Sequence, residues 1–138
     1  MYRDHDYHIG IAYVLDARAF VTLQLEDHDR AAALAHASLR FDPERENRWL
    51  AGRSLRILGA VAHARGDDVR ATRLFGAAEA MYEAIGALSL TEERRAVNEV
   101  PERIREAMPA SDFGREWAVG HAMSYAEALA FALEGAGE

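Results

Sequence analysis

The sequence predicts an all-α fold, and three observations lead there. Alanine, leucine and arginine dominate a chain whose residues are 50% apolar, which is a composition of good helix formers. Apolar residues recur at three- and four-residue spacing, while strand-like alternation is hard to find. The few turn signals, among them Pro43, Gly66, Gly86, Pro109 and Gly120, punctuate the chain at helical intervals. At 138 residues the chain is long enough for one core and too short for two.

The elements follow in order. In residues 7–25, Ile11, Val14, Leu15, Phe20, Val21 and Leu25 recur at helical spacing until the polar run 26–29 interrupts them. A second helix over 29–40 stops at Phe41-Asp42-Pro43, because the residue before proline is pushed out of helical geometry. The third, about 46–65, ends at Gly66, the residue that best takes a left-handed cap. Asp67 or Asp68 caps a fourth, which runs to Ile85 and closes at Gly86. Ser89 with Glu92 makes a capping box for a fifth helix to Met108, and Pro101 inside it predicts a break near Val100. Ser111 starts a sixth helix carrying Phe113 and Trp117 on one face. Ser124 and Glu127 form a capping box for a last one, to Leu133.

An internal repeat organises the first four helices. Leu55, Leu58, Gly59, Ala62, Gly66, Ala71, Phe75 and Ala78 are similar, in order and spacing, to the tetratricopeptide pattern, with Leu55 at the usual tryptophan place and Ala62 at the usual tyrosine place. Small residues such as Gly59 and Ala71 let two antiparallel helices approach, and Phe75 fills the seam between them. A weaker copy uses Leu15, Ala19, Ala31, Ala35, Ser38, Leu39 and Pro43; Ala31 and Ala71 stand 40 residues apart. The resemblance implies a weak repeat over 7–43, a clear repeat over 46–86 and capping helices over 89–133. The expected architecture is thus a set of antiparallel hairpins of tetratricopeptide type with a helical C-terminal cap.

The stretch 55–133 also resembles the C-terminal repeat region of large bacterial regulators that carry an ATPase domain, LuxR-type and activator-type transcriptional regulators among them. The residues concerned are Gly66-Asp67, the run from Arg70 to Ala80, Ile85-Gly86-Ala87, and then Phe113, Trp117, Gly120, Ser124, Glu127-Ala128 and Ala132-Leu133. What the resemblance implies is an interaction or signal-relay domain. No G-x-x-x-x-G-K-[ST] phosphate loop occurs in the chain.

Composition narrows the function classes. The formal net charge is -7, and every one of the 16 basic residues is arginine. Residues 70–138 hold twelve carboxylates against seven arginines, an acidic balance that repels polyphosphate, so direct nucleic-acid binding is not expected. The absence of cysteine excludes thiolate chemistry and cysteine-ligated zinc. Apolar stretches are too short to span a bilayer and the start is polar, so a cytoplasmic, non-membrane chain is expected.

His5 and His8, with Asp4 and Asp6, read as a solvated terminus. His36 and His63 read as packing residues, His28 as a turn residue and His121 as a loop residue, so neither metal nor cofactor is expected. The pairs Asp67-Asp68 and Glu92-Glu93 sit at helix starts, where carboxylates are favoured by the helix dipole. Ser38, Ser54, Ser89, Ser111 and Ser124 lack a nucleophile setting. No enzymatic role is expected.

A groove is the remaining candidate. In tetratricopeptide stacks the first helix of each pair lines the inner surface, which here implies Tyr13, Asp16, Phe20, Leu23 and Gln24, then Arg53, Arg56, Ala60, His63 and Ala64. Arg53 and Arg56, one turn apart, either hold the carboxylate of an acidic partner peptide or decorate a solvated face. Two functions stay open, a protein-binding relay module and a small-ligand sensor. Two visible repeats also leave the first helix one neighbour short, which favours a homodimer through the N-terminal hairpin.

Overall fold

The computed structural model describes residues 4–41, 47–86 and 95–134, and every regular element among them is helical. Helices α1 (Asp4–Gln24) and α2 (His28–Phe41) come first, followed by α3 (Arg48–Ala64) and α4 (Asp68–Ala84). The first pair is antiparallel: the Ser38 hydroxyl donates to the Ala12 carbonyl at 2.9 Å, with the turn midway between them. In the second pair Gly52 lies against the Tyr82 ring and Gly59 against Phe75, again symmetrically about the turn. At Gly59 an added methyl would come within 2.7 Å of the Phe75 ring, so glycine is what lets the aromatic fill the seam.

The turns of the two pairs repeat each other at a displacement of 40 residues. Asp27 N donates to Thr22 O at 3.2 Å and Asp67 N to Ala62 O at 2.9 Å; Glu26 N and Gly66 N bond Leu23 O and His63 O, both at 2.9 Å. The Asp27 and Asp67 carboxylates then accept from the amides of Arg30 and Arg70 at 3.3 and 3.1 Å, capping α2 and α4. Glu26 has φ 62° and Gly66 φ 83°. Glycine takes that left-handed geometry without steric cost, whereas Glu26 carries about 1 kcal/mol of strain there. Ala31 and Ala71, the alanines whose spacing marks the repeat, are both fully buried.

Helix α3 is the centre of the molecule. Every residue from Leu50 to Ala62 is buried, because α2, α4 and the C-terminal helices all lie against it. The core built around it contains Leu55, Ile57, Val61, Leu74, Phe75 and Met81.

After α4 come α5 (Arg95–Asn98), α6 (Val100–Ala107), α7 (Ala110–His121) and α8 (Tyr125–Ala132). Pro101 acts as expected: the helix breaks at Glu99 and resumes with proline in its first turn, where a missing amide costs nothing. The expected capping box at Ser89 lies outside the described residues. Ser111 does not open the next helix. Instead α7 starts at Ala110, with Pro109 in the capping position and its carbonyl accepting from Asp112 and Phe113 amides, both at 3.0 Å.

Buried Val97, Val100 and Ile104 seat α5 and α6 on α3 and α4. Helix α7 lies along α4, with Phe113 buried and stacked on Trp117 at 5.7 Å. The Arg73 guanidinium donates to both carboxylate oxygens of buried Glu116, at 3.1 and 3.2 Å. Gly76 and Gly120 mark the crossing of the two backbones. A methyl on Gly120 would overlap the Arg73 carbonyl, and one on Gly76 the Trp117 carbonyl. Both bonds of the Ser124–Glu127 capping box are present at the start of α8. Its far end is held by Arg70, which donates to Phe131 O at 2.9 Å, and by His36 Nε2, 3.1 Å from Ala132 O. A cationic donor such as Arg70 is favoured at a helix C-terminus, where unpaired carbonyls face it.

The α4–α7 crossing yields a test. Gly120→Ala should destabilise the chain by about 3 kcal/mol, because the clash is with backbone and cannot relax by a rotamer change. Gly114→Ala, on the open side of the same helix, should stabilise it by about 0.5–1 kcal/mol through helix propensity. Denaturant unfolding of both variants measures the difference, and equal stabilities would mean that α7 does not cross α4 at Gly120.

Candidate functional site

Several residues expected to line an inner groove on the first and third helices meet one another in the seam between α1 and α3. Asp16 on α1 is 0% exposed and Arg53 on α3 is 8% exposed. Arg53 Nε donates to Asp16 Oδ2 at 3.0 Å, and the Ser54 hydroxyl donates to Asp16 Oδ1 at 3.2 Å. Both carboxylate oxygens are therefore satisfied, which is what makes a buried charge tolerable. The Arg53 guanidinium carbon also lies 4.4 Å from the centre of the Trp49 ring and 5.8 Å from that of Tyr13. Those two rings stack at 6.2 Å with an interplanar angle of 9°.

Arg56 is 5% exposed and donates to Asn98 Oδ1 on α5 at 2.7 Å, with Phe75 under its guanidinium at 5.3 Å. Burial pulls its pKa below the ordinary arginine value, opposed by nearby Tyr82 and Glu79; arginine remains charged even so. The two arginines are thus neither a solvated face nor a pair presented to a peptide. One meets the chain's own Asp16 and the other is covered by α5. Of the remaining candidates, Phe20 is half-buried, Gln24 is exposed, and His63 Nδ1 contacts Asp68 Oδ1 at 2.7 Å. The signal in the sequence that points to this seam is Trp49, one turn before Arg53, which sequence reasoning passed over.

The outer face of α1 is the contrasting surface. Tyr13, Val14, Ala17, Arg18, Val21 and Thr22 line an open groove of about 350 Å³. Val14 and Val21 are each 54% exposed and Leu25 is 76% exposed. Shifted by the 40-residue repeat, the groove residues correspond to Arg53, Ser54, Ile57, Leu58, Val61 and Ala62, all of them buried. On α3 that face meets α1 through Arg53 and Ser54 and shares a cavity with α2 through Leu58, Val61 and Ala62. The first repeat therefore carries at its surface the face by which the second packs on its predecessor. Exposed apolar side chains gathered in one place mark contact surfaces, whereas scattered ones do not.

A cavity of about 390 Å³ lies among α2, α3, α4 and the end of α8. His36, Arg65 and Arg70 bring positive charge to it, and Asp67 and Glu134 bring carboxylates. Arg65 donates to Asp29 and Arg70 lies 3.6 Å from Glu134, so these charges already have counterparts. Burial lowers the His36 pKa from 6.5; the Ala132 carbonyl opposes this, and Arg40, Arg70 and Arg65 add to it.

Among the described residues no group of three or more histidine and carboxylate side chains is placed to hold a metal ion. His121 closes α7 rather than a loop, with Nε2 3.1 Å from Glu83 Oε1. The side chains of His5 and His8 lie outside the described residues. No helix of the described residues is long and apolar enough to cross a membrane. No protein-family model, curated protein or solved structure matches this chain.

Two measurements follow from the seam and the cavity. Asp16→Leu leaves the Arg53 guanidinium buried without its carboxylate and should cost about 3–5 kcal/mol, most of which Asp16→Leu with Arg53→Met should recover. Chemical denaturation of the single and double variants tests this; additive losses would show the pair is not coupled. The folded pKa of His36 lies below the unfolded 6.5, so the unfolded chain binds its proton first. The stabilising difference is complete above about pH 6.5 and shrinks as pH falls toward the folded value. His36→Gln should flatten that part of the stability–pH curve, and an unchanged slope would assign it to another group.

Proposed function

We propose that this chain is a non-catalytic helical-repeat module of tetratricopeptide type that binds a protein partner through the outer face of α1. The observation that carries this reading is the correspondence between the exposed α1 face and the face α3 buries. A helix surface that packs on a neighbour in one repeat is chemically equipped to do so in the other. Tyr13, Trp49 and Arg53 stand together at its edge, and aromatic and arginine side chains carry much of the energy of protein interfaces. The carboxylates and hydroxyls expected to attract catalytic interest act as structure: Asp27, Asp67 and Ser124 cap helices, and Asp16 and Ser54 are engaged with each other. With both groove arginines occupied, the preference for an acidic peptide gives way to one for an apolar helix.

The resemblance of residues 55–133 to the repeat region of bacterial ATPase-containing regulators supports a cytoplasmic role in signal relay or transcriptional regulation. The cavity beside His36 and Arg70 favours a second reading, a small-ligand sensor whose occupancy moves α8, since Arg70 reaches both the cavity and the end of that helix.

A photo-crosslinking amino acid placed at Val21, in cells of the source organism, should capture a protein, and the same group at exposed Arg103 on α6 should not. Adding Val14→Asp should abolish the adduct while the circular dichroism of the chain stays the same. Capture from position 103 alone, or capture indifferent to Val14→Asp, would overturn the assignment of the surface. Native mass spectrometry of the purified chain addresses the second reading, which requires a small molecule retained by the wild type and lost in Arg70→Ala.

A further inference from the structure

We infer that the cavity among α2, α3, α4 and the end of α8 is a binding site for a small zwitterion with an aliphatic side chain, an α-amino acid of leucine's kind. The inference rests on the sensor reading of that cavity and names its ligand. A volume of about 390 Å³ lies within the usual range of small-molecule sites. The charged groups on the walls balance: Arg65 and Arg70 bring two positive charges, and Asp67 and Glu134 bring two negative ones. An anion entering alone would meet two carboxylates, and a cation alone two guanidiniums. A ligand that carries both charges a few bonds apart finds a counterpart for each. Ala32, Leu58, Val61 and Ala62 form the apolar wall, on which an aliphatic side chain leaves water. His36 adds no net charge near neutral pH, because burial, and then Arg40, Arg70 and Arg65, hold its pKa below 6.5 against the Ala132 carbonyl.

The pairs these groups make within the chain are weak enough for a ligand to replace. Arg65 is half-exposed and donates to Asp29, whose side chain is 94% exposed, and ion pairs so open to water hold little. Arg70 Nη1 stands 3.6 Å from Glu134, beyond hydrogen-bond length, and the Glu134 side chain is 66% exposed. Among the described residues Asp67 uses one oxygen, Oδ1, to accept from the Arg70 amide at 3.1 Å. A ligand carboxylate at Arg65 and Arg70, with its ammonium at Asp67 and Glu134, exchanges these surface pairs for contacts shielded by the ligand itself. Arg70 links the site to α8: it donates to Phe131 O at 2.9 Å, and its guanidinium lies 4.5 Å from the centre of the Phe131 ring.

The isotope-labelled full chain is titrated with L-leucine, with isocaproate, which lacks the ammonium, and with isoamylamine, which lacks the carboxylate, and the amide NMR shifts are followed. L-Leucine should shift the Arg65, Arg70 and Ala132 amides and bind at least about tenfold more tightly than either partial analogue. Asp67→Asn combined with Glu134→Gln keeps a good cap on α4 and removes both negative charges. With helicity unchanged, it should weaken leucine by about tenfold and tighten isocaproate, an inversion that a merely structural loss would not produce. Arg65→Ala should weaken leucine and isocaproate together. Unmoved amides with leucine and with valine, isocaproate binding as tightly as leucine, or a carboxylate variant indifferent to leucine would overturn the proposal. If native mass spectrometry then still finds a different small molecule held through Arg70, the sensor reading stands and the zwitterion is wrong. If it finds none, both readings fail.

Discussion

Burial of α3 on all sides is the constraint on which the rest of the structure depends. A helix enclosed in this way is ordinarily apolar throughout, yet α3 carries Arg53 and Arg56 in its middle. Each guanidinium must find an acceptor within the protein, because water cannot supply one. Asp16 meets the first demand and in doing so ties α1 to α3 at a fixed offset. Asn98 meets the second and brings α5 over the helix one turn further on. Removing either acceptor would leave a charge stranded in the interior, which makes these polar contacts determinants of how the helices register.

Around that centre the packing is set by small residues. Gly59 admits Phe75, and Gly76 with Gly120 admits close contact between α4 and α7. Close approach at these points leaves little room for sliding, since an added methyl would meet ring or backbone. The last helix is fastened differently, by a capping box at its start and by Arg70 and His36 at its end. The end of the molecule beyond α4 is thereby covered, whereas α1 keeps an apolar stripe at its surface. That asymmetry between the two ends follows from the repeat: the second helix pair has a predecessor to pack on and, among the described residues, the first has none.

The proposed function rests on this asymmetry rather than on a reactive group. Among the described residues, Asp27, Asp67 and Ser124 cap helices, and Asp16 and Ser54 are buried and hydrogen-bonded to each other. At the surface α1 keeps exposed Val14 and Val21, beside the stacked pair Tyr13 and Trp49. The cavity between α2 and α4 is the other opening, and its Arg65 and Arg70 are already paired with Asp29 and Glu134.

Helix class, most helix ends and the 40-residue spacing could be read from the sequence, because the interactions that set them are local. Asp67 caps three residues ahead, Gly66 tolerates its left-handed turn, Pro101 breaks a helix at its own position, and Ser124 pairs with Glu127 within one turn. Ser111 does not act as a cap for an equally local reason: Pro109, fixed in its backbone angle, takes the capping position and the helix begins at Ala110. Only the tertiary structure decided the fate of Arg53 and Arg56. Their acceptors lie 37 and 42 residues away, and one-dimensional periodicity marks a helix face without saying how many neighbours cover it. The same holds for α1 in reverse, since Val14 and Val21 have the spacing of core residues and yet stand exposed among the described residues.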